Sequence, residues 1–274
     1  MTTIHPTAVI DSSSQIADGV EIGAWTYVGP GVEIGEGTVL REHVHIGANT
    51  TMGRGNVVAP FAAVGGEPQD RKFHGEHTVL RMGHENDIRE HVTIHRGTGN
   101  GGGETVIGSN CLIMVGAHIA HDCILGDHVT LANQVMLAGH VIVEDGAAMG
   151  GGAALHHFVT VGTMAFIGGL SRVGRDAPPY MISEGHPADV RAINSIGLVR
   201  SGMSQDTIDI LKTCYKRLFR GGPAMEGVVA LREEFPEVAE VGRLCDAIEA
   251  ANKGTHGRAM ENARPDDRWA KADG

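Results

Sequence analysis

An apolar residue returns at every sixth position along two long stretches of this chain, and few folds can use such a beat. It runs through Ile4, Ile10, Ile16, Ile22, Val28, Ile34, Leu40, Ile46, Met52, Val58 and Val64. It resumes at Ile107, Ile113, Ile119, Leu125, Leu131, Leu137, Val143, Met149, Leu155, Val161, Ile167 and Val173, with weaker echoes at Met82, Ile88 and Ile94. Against a background of 42% hydrophobic residues, these 23 strong positions would all be apolar by chance on the order of 10⁻⁹ per phase.

Two residues before the beat stands something small or β-branched, as at Ala8, Ser14, Thr26, Thr38, Ala62, Cys111, Ala117, Ala147 and Ala165. Glycine follows the beat at 12 of the 23 strong positions, and Pro30 and Pro60 come one residue later. Hexads with two inward positions and glycine corners describe a parallel β-helix of three hexads, or 18 residues, per coil. Coils stack about 4.8 Å apart, so residues 18 apart in sequence lie directly above one another. Handedness is not readable from the pattern.

Of the 40 glycines, 31 fall in residues 1–185, and the reading divides there into a β-helix over 1–186 and a helical domain over 187–254. Ser204 caps a helix whose apolar face is Ile208, Leu211, Tyr215 and Leu218, ending at Gly221-Gly222; Pro223 starts a second and Pro236 a third. Residues 255–274 are expected to form a frayed, flexible tail. Two excursions interrupt the beat, at about 65–81 and 96–104, the second rich in glycine and expected to be flexible.

The 22 Lys and Arg against 33 Asp and Glu leave a net charge of −11, which disfavours a general nucleic-acid binder. No apolar run reaches the roughly 20 residues of a membrane span, and the opening residues lack the features of a signal peptide, so a soluble, cytoplasmic protein is expected. Cys111, Cys123, Cys214 and Cys245 form no close pair, so neither disulfides nor a cysteine zinc site is expected. Segment 190–220 runs against the overall charge, with Arg191, Arg200, Lys212, Lys216, Arg217 and Arg220 facing only Asp206 and Asp209. Such a segment serves either as a solvated face or as a dock for an acidic partner.

The eighteen-residue register gathers the histidines. His121, Gly139 and His157 form one file and Asp122, His140 and Phe158 the next, so five polar or glycine positions converge on one corner. A neutral histidine is the ordinary general base near pH 7, a neighbouring carboxylate orients its tautomer, and the N–H of Gly139 can face a developing oxyanion. Zinc is the rival use, with His118, His121 and His140 as ligands of a hydratase. A hexapeptide acetyltransferase using acetyl-CoA, and a scaffold without turnover, are further alternatives.

Ile94-His95-Arg96-Gly97-Thr98, residues 117–123, Leu137-Ala138-Gly139-His140, His156-x-Phe158, Pro178-Pro179-Tyr180 and Asn194-x-x-Gly197-Leu198-x-Arg200 resemble the UDP-N-acetylglucosamine acyltransferases of lipid A biosynthesis. The resemblance implies a left-handed β-helix with a C-terminal helical domain, a homotrimer with sites between subunits, and transfer of a 3-hydroxyacyl group from acyl carrier protein to the 3-hydroxyl of UDP-N-acetylglucosamine, without a cofactor or metal. By position it implies His121 as general base, Asp122 and His140 beside it, and Gly139 as oxyanion donor. It places Gln69, Asp70, Lys72, His118, His156, His157 and Asn194 around donor or acceptor, Arg200 near the nucleotide phosphates, and Gly169 where the acyl tail is measured. The basic segment then faces the carrier protein. Three positions depart from the family pattern: His157 stands where Gln is usual, Ile196 replaces an acid and Ser201 a second arginine. Some relatives acylate a 3-amino sugar and form an amide, and both acceptors stay open here. The related N-acyltransferases carry an added N-terminal domain and are disfavoured here, on the expectation that a beat beginning at Ile4 leaves no room for one.

Overall fold

The computed structural model describes residues 1–263, in which the hexads wind into a three-sided parallel β-helix. Its sides are sheets of eleven, nine and eight strands, starting at Thr3–Ile4, Val9–Ile10 and Gln15–Ile16. Each regular coil adds one two-residue strand to each sheet, and register follows the eighteen-residue step, with Met136 on Ala154 and Leu137 on Leu155. Beat residues point inward: Leu40, Ile46, Ile88, Ile119, Leu125 and Leu137 are almost fully buried. Each such side chain contributes roughly 1.5–3 kcal/mol.

The corners correct one expectation. The left-handed backbone position lies three residues before the beat, at Asp122, His140 and Phe158 among others, and is often not glycine. The glycines after the beat serve a different need, because there successive coils nearly touch: a Cβ on Gly108 would stand 2.4 Å from the Gly126 carbonyl oxygen. Pro30 and Pro60 do open corner turns, as expected.

Two insertions break the register. Val64 pairs with Ile94, thirty positions on, and Ile94 with Ile119, twenty-five positions on. Both insertions leave the corner between the second and third sheets, after strands Ala63–Gly66 and Thr93–His95. One coil above them, the same corner carries residues 120–123.

The expected boundary at 186 falls inside the structure's last hairpin. Met181–Gly185 and Ala188–Ile193 pair antiparallel and extend the first sheet, so the helical part begins after Ile193. It comprises α1 (Ser195–Arg200), α2 (Gln205–Arg220), α3 (Ala224–Glu234) and α4 (Ala239–Lys253). Ser204 caps α2, accepting from the Thr207 N–H, and Pro223 precedes α3. The short α1, capped by Asn194, is an addition to the sequence reading.

The tail is not frayed where it is described. Arg258 is buried, donates to the Gly174 carbonyl at 2.7 Å and pairs with Glu261, while Ala259 N–H donates to Asp176. The rest of the expected tail, 264–274, lies outside the described residues. Among the described residues no helix is long and apolar enough to cross a membrane.

Candidate active site

The turn at 120–123 holds His121 followed by Asp122 in the left-handed conformation, φ 59°. Short polar side chains tolerate that conformation better than bulky ones. The Asp122 side chain is 1% exposed, and its carboxylate is met from beneath by the second insertion. Thr98 donates its N–H to Oδ1 at 2.8 Å and its hydroxyl to Oδ2 at 2.7 Å. The Asp122 N–H is taken by the Thr105 hydroxyl at 2.8 Å. Burial pushes the carboxyl pKa up, but the bonds from His121 and Thr98, with His140 nearby, outweigh it and hold the group below the usual carboxylate range. The insertion expected to be flexible is therefore anchored, with Arg96 and Thr98 both buried.

His121 Nδ1 lies 2.7 Å from Asp122 Oδ2. An ionised carboxylate only accepts, so Nδ1 carries a proton, and in the neutral ring the lone pair lies on Nε2. Gly139 sits over the ring, and among the described residues no group accepts its N–H. The His121 N–H is unbonded at the equivalent place one coil below, so the corner geometry itself frees this amide.

Other histidines frame the pair. His140 packs edge-on to His121 at 5.2 Å and stacks on Phe158 at 4.5 Å. Its Nε2 is 3.8 Å from Asp122 Oδ2. Burial lowers the pKa of His140 against the opposing pull of Asp122, and lowers that of His118 with help from His121. His118 bonds the Thr93 hydroxyl at 2.7 Å. Beneath it, burial brings His95 down to about 4. A cleft of about 320 Å³ opens beside these groups, lined by Gln69, His118, His121, Met136, Gly139 and His157 among others. Gln69 comes from the first insertion, and Asp70 beside it is close enough to act on His140.

This corner can take a proton at Nε2 and offer an N–H to an anion one coil above. Known proteins sharpen that chemistry. The family described as Udp N-acetylglucosamine O-acyltransferase, Domain 2, matches residues 176–256, and the bacterial transferase hexapeptide family matches 1–36 and 104–139, on either side of the two insertions. An acyl-[acyl-carrier-protein]--UDP-N-acetylglucosamine O-acyltransferase from Stenotrophomonas maltophilia is 46% identical over 252 residues, 91% of this chain and 96% of that protein. One from Agrobacterium fabrum is 40% identical over 91% and 93%. The structure of LpxA from Acinetobacter baumannii superposes with a TM-score of 0.86 at 43% identity, over 89% of this chain and 95% of that one. The chain belongs to the UDP-N-acetylglucosamine O-acyltransferase family.

It is thus an acyltransferase, and its β-helix has the left-handed winding of that family. The acyltransferase brings His121, Asp122, Gly139, His140, His118, His157 and Gln69 to one corner, and keeps other expected residues apart. Lys72 lines a separate cleft of about 540 Å³ between the two insertions, with Arg71, His74, Glu76, Gly99 and Asn100. His156 is exposed, its Nδ1 against the His157 carbonyl. Asn194 is buried as the cap of α1, accepting from Gly197 N–H and donating to the Met164 carbonyl at 2.8 Å. Arg200 is exposed at the end of α1. Gly169 lies on the corner between the first and second sheets, over Gly151.

The rival zinc trio is not the one the fold assembles. His118 is engaged by Thr93, and among the described residues the group with ligand atoms within 4.8 Å of one another is His121, Asp122 and His140. Thr98 and Thr105, which hold Asp122, are not among the candidate residues that the sequence offers. The eighteen-residue step puts Thr105 directly below Cys123, next to Asp122, so periodicity reaches it; Thr98 lies in an insertion, where the step fails.

Proposed function

We propose that this acyltransferase moves a 3-hydroxyacyl group from acyl carrier protein to the 3-hydroxyl of UDP-N-acetylglucosamine, opening lipid A biosynthesis, with His121 as general base. The observation that carries this reading is the His121–Asp122 hydrogen bond beneath the unbonded N–H of Gly139. Asp122 fixes the tautomer and stabilises the imidazolium that forms. Nε2 removes the proton of the sugar hydroxyl as its oxygen attacks the thioester carbonyl. The carbonyl oxygen, now an anion, is met by the Gly139 N–H. Collapse breaks the C–S bond, and the imidazolium returns its proton to the leaving thiolate.

The active assembly in this reading is a homotrimer in the cytoplasm. Its support is the spread of the expected binding residues: Gly169, Asn194 and Arg200 lie away from His121 within one chain, and a neighbouring subunit is what would bring copies of them to the cleft. The carrier protein is acidic in this reading and meets the exposed cations Arg191, Arg200, Lys216 and Arg220.

Mass spectrometry of the product from 3-hydroxyacyl carrier protein, offered UDP-N-acetylglucosamine and its 3-amino analogue, tests the reaction. An ester on the natural sugar is expected. An amide formed only from the analogue reassigns the acceptor, and no transfer to either sugar overturns the reading. His121→Ala is expected to slow turnover by roughly 10²–10⁴ with little change in Tm, because the ring lies outside the stacked aliphatic core; a near-normal rate overturns the role of His121.

A further inference from the structure

The hydroxyl of Thr98 is 1% exposed with its residue and is spent on one acceptor, the catalytic carboxylate. We infer that Thr98 is a positioning residue of the acyl-transfer site, acting on His121 through Asp122. The inference rests on His121 being the base.

An aspartate carboxyl turns about a soft, two-fold torsion, so a single bond from His121 leaves its plane loosely set. Thr98 grips both oxygens: N–H to Oδ1 at 2.8 Å and hydroxyl to Oδ2 at 2.7 Å. The second of these is the oxygen that receives His121 Nδ1. The Thr98 hydroxyl and the imidazole N–H therefore share one acceptor, and the angle at which Asp122 presents it to the ring is set from the insertion.

The insertion is shaped for that grip. The Thr98 carbonyl accepts from Gly101 N–H at 3.0 Å and Gly103 N–H at 2.9 Å, folding residues 99–103 back on themselves. Gly101 then passes so close to Asp122 that a Cβ there would stand 2.1 Å from Cγ. On the far side, Gly99 N–H donates to Glu76 Oε1 at 3.0 Å, and Glu76 belongs to the first insertion, which carries Gln69 and Asp70. Three successive contacts thus join the insertion lining the cleft to the base: Glu76 to Gly99, Thr98 to Asp122, and Asp122 to His121.

The test is a double-mutant cycle of Thr98→Val with Asp122→Asn, with Thr98→Ser and His121→Ala alongside. Thr98→Val keeps the shape and the N–H but removes the hydroxyl; Thr98→Ala repeats the measurement if the valine lowers Tm. The expected kcat of Thr98→Val is down by roughly 10- to 100-fold through misplacement of the base, with KM for both substrates within about two-fold. Thr98→Ser recovers most of the rate. In the Asp122→Asn background the Thr98 change has no further effect beyond about two-fold, since the two act as one unit. A Thr98→Val kcat near wild type, a serine variant as slow as the valine one, or an effect that multiplies fully onto Asp122→Asn overturns the inference. If His121→Ala runs at the wild-type rate, the base assignment falls and this inference with it. A slow His121→Ala beside a normal Thr98→Val removes Thr98 alone.

Discussion

Gly139 stands one coil above His121 and presses on its ring: a Cβ built on Gly139 lies 2.5 Å from Cε1 and 2.8 Å from Nε2. The backbone at Gly139 is outside the left-handed region, so glycine is required here for close approach and not for conformational freedom. Gly139→Ala is expected to push the imidazole off the Asp122 carboxylate and to cut kcat by about 10²-fold or more. A structure of the variant with the ring in its present place and a wild-type kcat would show that the corner has room to spare.

The trio His121, Asp122 and His140 is close enough to hold a metal ion, yet its carboxylate already accepts from Thr98 twice and from His121 once. A cation held between His121 Nδ1 and Asp122 Oδ2 would have to displace the Nδ1 proton from an oxygen that also accepts from the buried Thr98 hydroxyl. Prolonged chelation is accordingly expected to leave turnover unchanged. Stoichiometric zinc that leaves together with activity, and restores it on return, would reverse the assignment to a metal site.

How far the site is legible in the sequence depends on where the register is intact. From Ile107 to Val173 no insertion interrupts the hexads, so counting in eighteens places Gly139 over His121 and His140 over Asp122, as the structure has them. Below Ile107 the count slips, because Thr93 pairs with His118 twenty-five positions on and Ala63 with Thr93 thirty on. Periodicity alone cannot say at which corner the extra residues bulge, so the contact of Thr98 with Asp122 is hidden. Asn194 and Arg200 lie beyond the hexads, where no count reaches them and only the resemblance points. The glycines after the beat are visible as a pattern, but their cause, coil-to-coil contact as at Gly108, needs the third dimension.

The basic segment is less free than its composition suggests. Lys212 pairs with Asp209 at 2.8 Å and Arg217 with Glu234 at 2.6 Å, while Lys216 is exposed on the same helix, α2. Reversal at Arg217 would also place two carboxylates together, whereas Lys216→Glu changes the surface alone. Lys216→Glu is expected to raise KM for the carrier-protein donor more than for the UDP-sugar, and added salt to mimic it, since exposed charges steer association and are screened. Equal changes in both KM values would argue against a docking role.

Gly169 offers a test of how the acyl chain is measured. It is exposed, sits over Gly151 on a corner away from His121, and the backbone of Gly150 passes close beneath it, so that a Cβ on Gly150 would lie 2.5 Å from its nitrogen. Two glycines stacked on one corner put no side chain on the outside of the coil, the space that a groove for the acyl tail would need. In the proposed trimer that wall faces a neighbour's catalytic corner, where the thioester carbonyl is held and the acyl tail runs on. A Cβ on Gly169 itself would meet only the Gly151 carbonyl oxygen closely, at 3.3 Å, and the backbone there is not left-handed, so a side chain can be accommodated by a small shift. Gly169→Met is therefore expected to fold, to fill that space and to move preference toward shorter donors. Each methylene denied burial loses about 0.8 kcal/mol, roughly a four-fold fall in relative kcat/KM per carbon at the end of the chain. Donor-length profiles of the two proteins, taken with the same acceptor, decide the matter: superimposable profiles from a folded, active variant would take Gly169 out of chain-length selection.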